Sequence, residues 1–197
     1  GRLSRKELNM AASQSAITFD VKDCKVYSIT ADASGAATTF GTGVDVPGIQ
    51  EVSLEPNFIT NELKGDGGVV LAKKGKIDRL NFSCTYSELS MTVLSVLLGQ
   101  SITEAGTGTS ETALMPIDDS SLPYFKVGFL IDDLQTSGDS LATVLVTLQK
   151  AQLTGGSLVS GSTDTFNTPN FTAEAIKPAG TPVRFGAISF AETAETL

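Results

Sequence analysis

Histidine and tryptophan are absent, and cysteine occurs only at Cys24 and Cys84. Without histidine there is no Ser-His-Asp or Cys-His relay, no His-ligated zinc and no imidazole switch. Two cysteines cannot supply a four-thiolate metal site or a disulfide scaffold. Cys84 falls on the apolar side of an alternating pattern, which favours a buried, inert thiol. Basic side chains are also few: 14 Lys and Arg stand against 22 Asp and Glu, a formal net charge of −8. A chain that grips phosphates needs the opposite balance. Long apolar runs are missing too. The longest, residues 91–98, is far too short to cross a bilayer, and no apolar run follows residues 1–10, so neither a signal peptide nor a membrane span is expected. Without a secretion signal, Asn81-Phe82-Ser83 and Asn170-Phe171-Thr172 read as chance matches to the glycosylation pattern.

What is present suits strands. The chain has 197 residues, enough to bury about 70% of its unfolded surface. Apolar residues at 41% and charged residues at 18% exclude a disordered chain. The 23 Thr and 20 Ser, with 19 Gly, favour strands and turns over helices. Residues 1–15 read as a polar arm of net charge +2, and residues 16–197 as a single β domain. Period-two alternation marks strands at residues 17–22, 51–55, 79–86, 125–132 and 142–149, with two more near 171–176 and 183–190. Residues 30–43 and 100–110 read as loops, and Ser137-Gly138-Asp139 centres a hairpin loop at 133–140. Residues 87–98 form the one convincing helix, with Ser87 as cap, Glu88 at the positive end and Gly99 just past the last turn. It is apolar nearly all round, which predicts cover on two sides, one of them a second subunit. Strands, one helix, then more strands, without βαβ alternation, predict a mainly β fold: an antiparallel β-sandwich or barrel with one flanking α-helix.

No constellation points to catalysis. Adjacent residues of a strand face opposite ways, so Asp118-Asp119 and Asp132-Asp133 make poor acid/base dyads; both read as turn residues. Gly41-Thr42-Gly43 and Gly106-Thr107-Gly108-Thr109 lack the lysine of a phosphate loop and read as ordinary loops. The expectation is no enzyme, no cofactor and no metal. Charge is uneven, however. Five of the 14 basic residues (Lys64, Lys73, Lys74, Lys76 and Arg79) fall within sixteen positions, whereas residues 80–197 carry 4 basic and 12 acidic groups. Such polarity suits a head-to-tail contact between copies, with a solvated hairpin flank as the bland alternative.

Several features in order resemble a known family. Val46-Pro47-Gly48-Ile49-Gln50, then Glu62-Leu63-Lys64-Gly65-Asp66, then the basic stretch and strand, then the Leu-rich helix ending at Gly99, are similar to tail tube (major tail) proteins of long-tailed bacteriophages. The resemblance runs from about Ile17 to Phe190. It implies a β-sandwich whose inner sheet joins its neighbours in a continuous barrel, similar to the tube protein of the type VI secretion apparatus. It also implies a structural virion protein, assembled in the host cytoplasm into stacked hexameric rings that form the conduit for genome ejection. Its partners would be further copies of itself and other tail proteins such as tape measure, terminator and distal tail proteins. Viral DNA would pass through without specific binding, and no membrane would be involved.

DNA that slides without being held needs a wetted wall without basic grip. Candidate lumen residues are Glu51, Ser53, Glu55, Asn81, Ser83 and Thr85; the alternative puts these faces outward. Candidate inter-ring residues are Lys64, Gly65, Asp66, Gly67, Gly68, Lys73, Lys74 and Lys76. Candidate subunit-interface residues on the helix are Leu89, Met91, Val93, Leu94, Leu97 and Leu98. The competing reading is a carbohydrate-binding β-sandwich module. Sugar platforms favour exposed aromatic rings, and this chain offers only Tyr27, Tyr86 and Tyr124 besides its phenylalanines.

Overall fold

The computed structural model describes residues 18–133, 142–191 and 197. The polar arm expected over residues 1–15, most of the loop at 133–140, and the tail residues Glu192 and Glu195 lie outside the described residues.

The strictest alternation in the sequence sets the two faces of the sheet. In β5 (Val70–Tyr86), Phe82, Cys84 and Tyr86 are buried, while Asn81, Ser83 and Thr85 point the other way. β10 (Asn170–Ala175) pairs antiparallel along one edge, matching Phe171 with Cys84 and Ala173 with Phe82. β4 (Ile49–Lys64) pairs along the other, matching Val52 with Cys84 and Leu54 with Phe82. The sheet continues from β10 through β9 (Ala142–Gly155) and β8 (Tyr124–Asp133) to β1 (Thr18–Ala31), and every pairing is antiparallel. Two-residue strands, β2 (Thr39–Phe40) and β3 (Val44–Asp45), pair with β1, and β11 (Gly186–Ala191) pairs with β9. β6 (Thr103–Ala105) and β7 (Thr112–Leu114) form a separate small ribbon. The fold is mainly β with antiparallel strands and one helix, as the alternation predicts.

The sheet curls on itself around one core. Cys24 and Val26 of β1 join Phe82, Cys84 and Tyr86 of β5, Phe125, Val127 and Phe129 of β8, and Phe171 of β10. Phe82 lies 5.7 Å from Phe129 and 5.8 Å from Phe171, ring centre to ring centre. Such tilted aromatic pairs are worth about 0.5–1.5 kcal/mol each beyond the area they bury. Cys24 meets Cys84 across the core, and that contact, together with burial, holds the Cys24 thiol well above its ordinary value. Both cysteines are free thiols.

The helix α1 (Met91–Leu98) is shorter than the sequence suggests. Ser87 is not its cap. The Ser87 amide donates to Gly48 O at 2.8 Å, and Gly48, at φ +64°, approaches Ser87 so closely that a Cβ there would meet the hydroxyl. That contact holds residue 87 in the sheet-end turn, so Ser90 caps instead and accepts the Val93 amide at 3.4 Å. The other end follows expectation: Gly99 adopts the left-handed conformation, φ 70°, and closes the last turn onto Ser95 O. β1 also departs from simple alternation. Its pairing with β8 shifts on either side of Val21, and Asp20 has φ 48°. These irregularities explain why the apolar pattern changes phase before Cys24 and Val26.

A half-buried ion pair fastens the loops at one side. Lys150 Nζ donates to Asp32 Oδ2 at 2.7 Å, and Asp32 Oδ1 accepts the Gly180 amide at 2.7 Å. The Lys150 hydrogen bond, then the Gly180 amide, lower the Asp32 carboxyl from 3.8 to about 2. The pair joins the end of β1 to β9 and to the segment before β11.

Two predictions follow from this packing. Asp32→Asn should cost about 1.5–3 kcal/mol in urea denaturation at neutral pH. Because the folded carboxyl titrates below the unfolded one, its contribution is full above about pH 3.8 and is lost as the pH falls toward about 2. The variant should therefore have a flatter acid limb than the parent, and equal slopes would refute the role given to Asp32. The Tyr86 hydroxyl is buried with no hydrogen-bond partner among the described residues. Tyr86→Phe should accordingly be neutral or stabilising by up to about 1 kcal/mol, and a lower melting temperature would reveal a missing partner.

Candidate functional site

The outer face of β4, β5 and β10 is polar throughout its paired region. Opposite residues of an antiparallel pair share a face. The register places Glu51 beside Thr85, Ser53 beside Ser83, and Glu55 beside Asn81, so all six candidate lumen residues stand in one patch. The hydroxyls of Ser53 and Ser83 hydrogen-bond at 2.7 Å. β10 extends the patch with Thr172 beside Ser83 and Glu174 beside Asn81, and β9 adds Thr154, whose hydroxyl bonds to Thr172 at 3.3 Å. A shallow groove of about 390 Å³ runs over Ser53, Glu55, Asn81, Ser83, Thr154 and Thr172. Thr172 and Glu174 were legible in principle, because they alternate with Phe171, Ala173 and Ala175.

One cation belongs to this face. Arg79 donates to Glu174 at 2.9 Å and to Asp78 at 2.9 Å. Its hydrogen bond to Glu174, then that to Asp78, raise its pKa further. The two carboxylates offset its charge, so this face carries no uncompensated cation at Arg79.

Beyond Leu80, β5 loses β10 as a neighbour and continues with β4 as a two-stranded arm about 30 Å long. Here the strands run well past the short segments that alternation marks. The turn lies at residues 65–69, where Gly67 and Gly68 have φ 78° and 79°. At the tip, Lys64, Gly65, Asp66, Gly67 and Gly68 stand together, and Lys73, Lys74 and Lys76 line the returning strand. Thus the candidate inter-ring residues share one projecting element. Lys73 pairs with Glu62 at 3.3 Å. Apolar side chains accompany the lysines: Phe58 faces Ile77 on one side of the arm, and Ile59 and Leu63 lie on the other with Lys76 and Lys74. Phe58 is 63% exposed and Leu71 65%.

The helix residues divide differently from expectation. Val93, Leu94 and Leu97 are buried within this chain, because α1 packs on β1, β3, β8 and β9. Leu89 precedes the helix and is exposed, while Met91 and Leu98 are half-buried. Only these last three retain surface to offer a neighbour.

The other constellations have local roles. Asp118 accepts the Asp119 amide at 2.8 Å in a turn, and Asp132 pairs with Lys22 at 2.8 Å. Gly106 and Gly108 shape the turn between β6 and β7. Tyr86 is buried, Lys126 covers the Tyr27 ring at 4.9 Å, and Lys150 covers the Tyr124 ring at 4.3 Å. Each of these lysines covers one face of its tyrosine ring. Among the described residues no three His, Cys, Asp or Glu side chains gather to hold a metal ion, and no helix is long and apolar enough to cross a membrane.

No family model matches the chain, and no curated protein matches it.

Proposed function

We propose that this chain is the subunit of a bacteriophage tail tube, a structural protein that closes into six-membered rings and stacks them into a conduit for the genome. The observation that carries the reading is the arm. A two-stranded ribbon is marginal in water, and this one exposes apolar side chains on both faces. Such an element is completed by a neighbour. The outer edge of β4 supports the same view: it has no partner strand among the described residues, and a sixteen-residue strand with one open edge is a template for another chain. The hydroxyl-rich face with Glu51, Glu55 and Glu174 suits the wall of the conduit, and Arg79 is neutralised on that wall by its own carboxylates. Tape measure, terminator and distal tail proteins would meet the ends of such a tube, and its place is the virion.

Sedimentation and negative-stain microscopy of the purified chain should give rings and stacked rings; monomer alone at all concentrations and salt levels would refute the reading. The wall can be tested separately. Glu51→Lys with Glu55→Lys should shift stability by less than about 0.5 kcal/mol per site, because both side chains are exposed on a strand. Phage carrying the double variant should eject DNA more slowly, most of all at low salt, where added lysines exchange for counterions on the phosphates. Normal ejection with both lysines mapped to the lumen would refute that assignment.

A further inference from the structure

The exposed apolar side chains gather at the two ends of the sheet, and the ends differ in charge. β4 leaves the sheet as the arm in the direction in which β8 finishes and β9 begins. At the opposite end, residues 87–123 connect β5 to β8, and residues 156–169 connect β9 to β10. These two connections carry Leu114, Ile117, Val159 and Phe166 on their surfaces, with Ile117 81% exposed and Phe166 wholly so. They also carry six acidic residues and no Lys or Arg. Arm residues 58–77 carry four lysines against Glu62 and Asp66. Among the described residues, the β6–β7 ribbon within the acidic end has no third strand. Gln152 holds the far side of that connection to β9 through the carbonyl of Leu122, at 2.8 Å.

We infer that the acidic, apolar end of one copy is the seat for the basic, apolar arm of the next copy. The inference rests on the tube reading and adds to it the surface that receives the arm. Apolar groups on both elements supply the burial, and opposite charge supplies orientation and rate. Because arm and seat lie at opposite ends of one subunit, the contact cannot be self-complementary about a two-fold axis. Repeated, it advances along the strand direction and remains open, so it joins ring to ring and does not close a ring.

Reciprocal charge reversal tests the pairing. One variant carries Lys73→Glu, Lys74→Glu and Lys76→Glu; the other carries Glu104→Lys, Glu111→Lys and Asp118→Lys. Each should keep the parent's melting temperature and stack about a hundredfold more weakly, since like charges then meet. An equimolar mixture should recover stacks, because each variant's arm then finds its opposite on the other's end. Should a reversal fail to fold, the neutral set Glu104→Gln, Glu111→Gln and Asp118→Asn gives the same readout with a smaller loss. An end variant that stacks like the parent, or a mixture of folded variants that does not recover, overturns the docking and leaves the rings standing. Parent protein that forms rings but never stacks does the same. Head-to-tail chains of single subunits, weakened by both reversals, would keep the docking and defeat the rings. Binding to phosphatidylcholine–phosphatidylserine vesicles that is lost only in the arm variant, with stacking intact, would give the arm to a lipid surface and overturn the proposal.

Discussion

A slip of one residue in the pairing of β5 would put Phe82, Cys84 and Tyr86 into water and bury Asn81, Ser83 and Thr85. Burying a large apolar side chain is worth about 1.5–3 kcal/mol, so Phe82 and Tyr86 alone oppose that slip strongly. The opposed residues Phe171, Ala173, Val52 and Leu54 sit in register with them. From this one register come both the core, through the contacts of Phe82 with Phe129 and Phe171, and the polar face, through the hydroxyls of Ser53, Ser83 and Thr172. The polar face and the core are two sides of a single alternation.

The arm arises because the sheet forks. β9 has two partners on the same side, β10 along one stretch and β11 along another. β5 follows β10 only as far as Leu80, and the rest of the β4–β5 hairpin leaves the sheet. A groove of about 350 Å³ opens in the fork, with Leu54, Pro56, Ile77 and Leu80 on one bank and Gly186 and Ile188 on the other. Pro56 lies on the outermost strand, where its missing amide is tolerated. Placing the arm outside the core frees its sequence from core packing, and its composition reflects this.

Much of the body is legible in the sequence because it is buried on one side. Residues 79–86 and 171–175 alternate strictly, and each lies in a strand with one face in the core. The arm is not legible in this way. Residues 58–77 have no buried face, so apolar and charged side chains stand on both sides and period-two alternation dissolves. The start of α1 was obscured for another reason: Ser87 and Ser90 are equivalent as caps by composition, and only the distant Gly48 carbonyl decides between them. Grouping the six candidate lumen residues on one face needed the pairing of β4 with β5, which local patterns suggest and register establishes. The apolar character of α1 was visible, yet Val93, Leu94 and Leu97 turned inward, since a helix stripe does not announce which body covers it.

If the arm docks on a second copy as inferred, its two-strand construction also bears on when copies join. A ribbon without a third strand gains little from holding one shape alone, so its ordering cost falls on the first contact it makes. Later contacts against a surface already in place are repaid by more partners for the same cost. In a tube built as proposed, growth on such terms would have a slow nucleus and fast elongation, with a lag that shortens as the concentration of free subunits rises. The hairpin of residues 58–77, left outside the core, would thereby set the timing of that assembly.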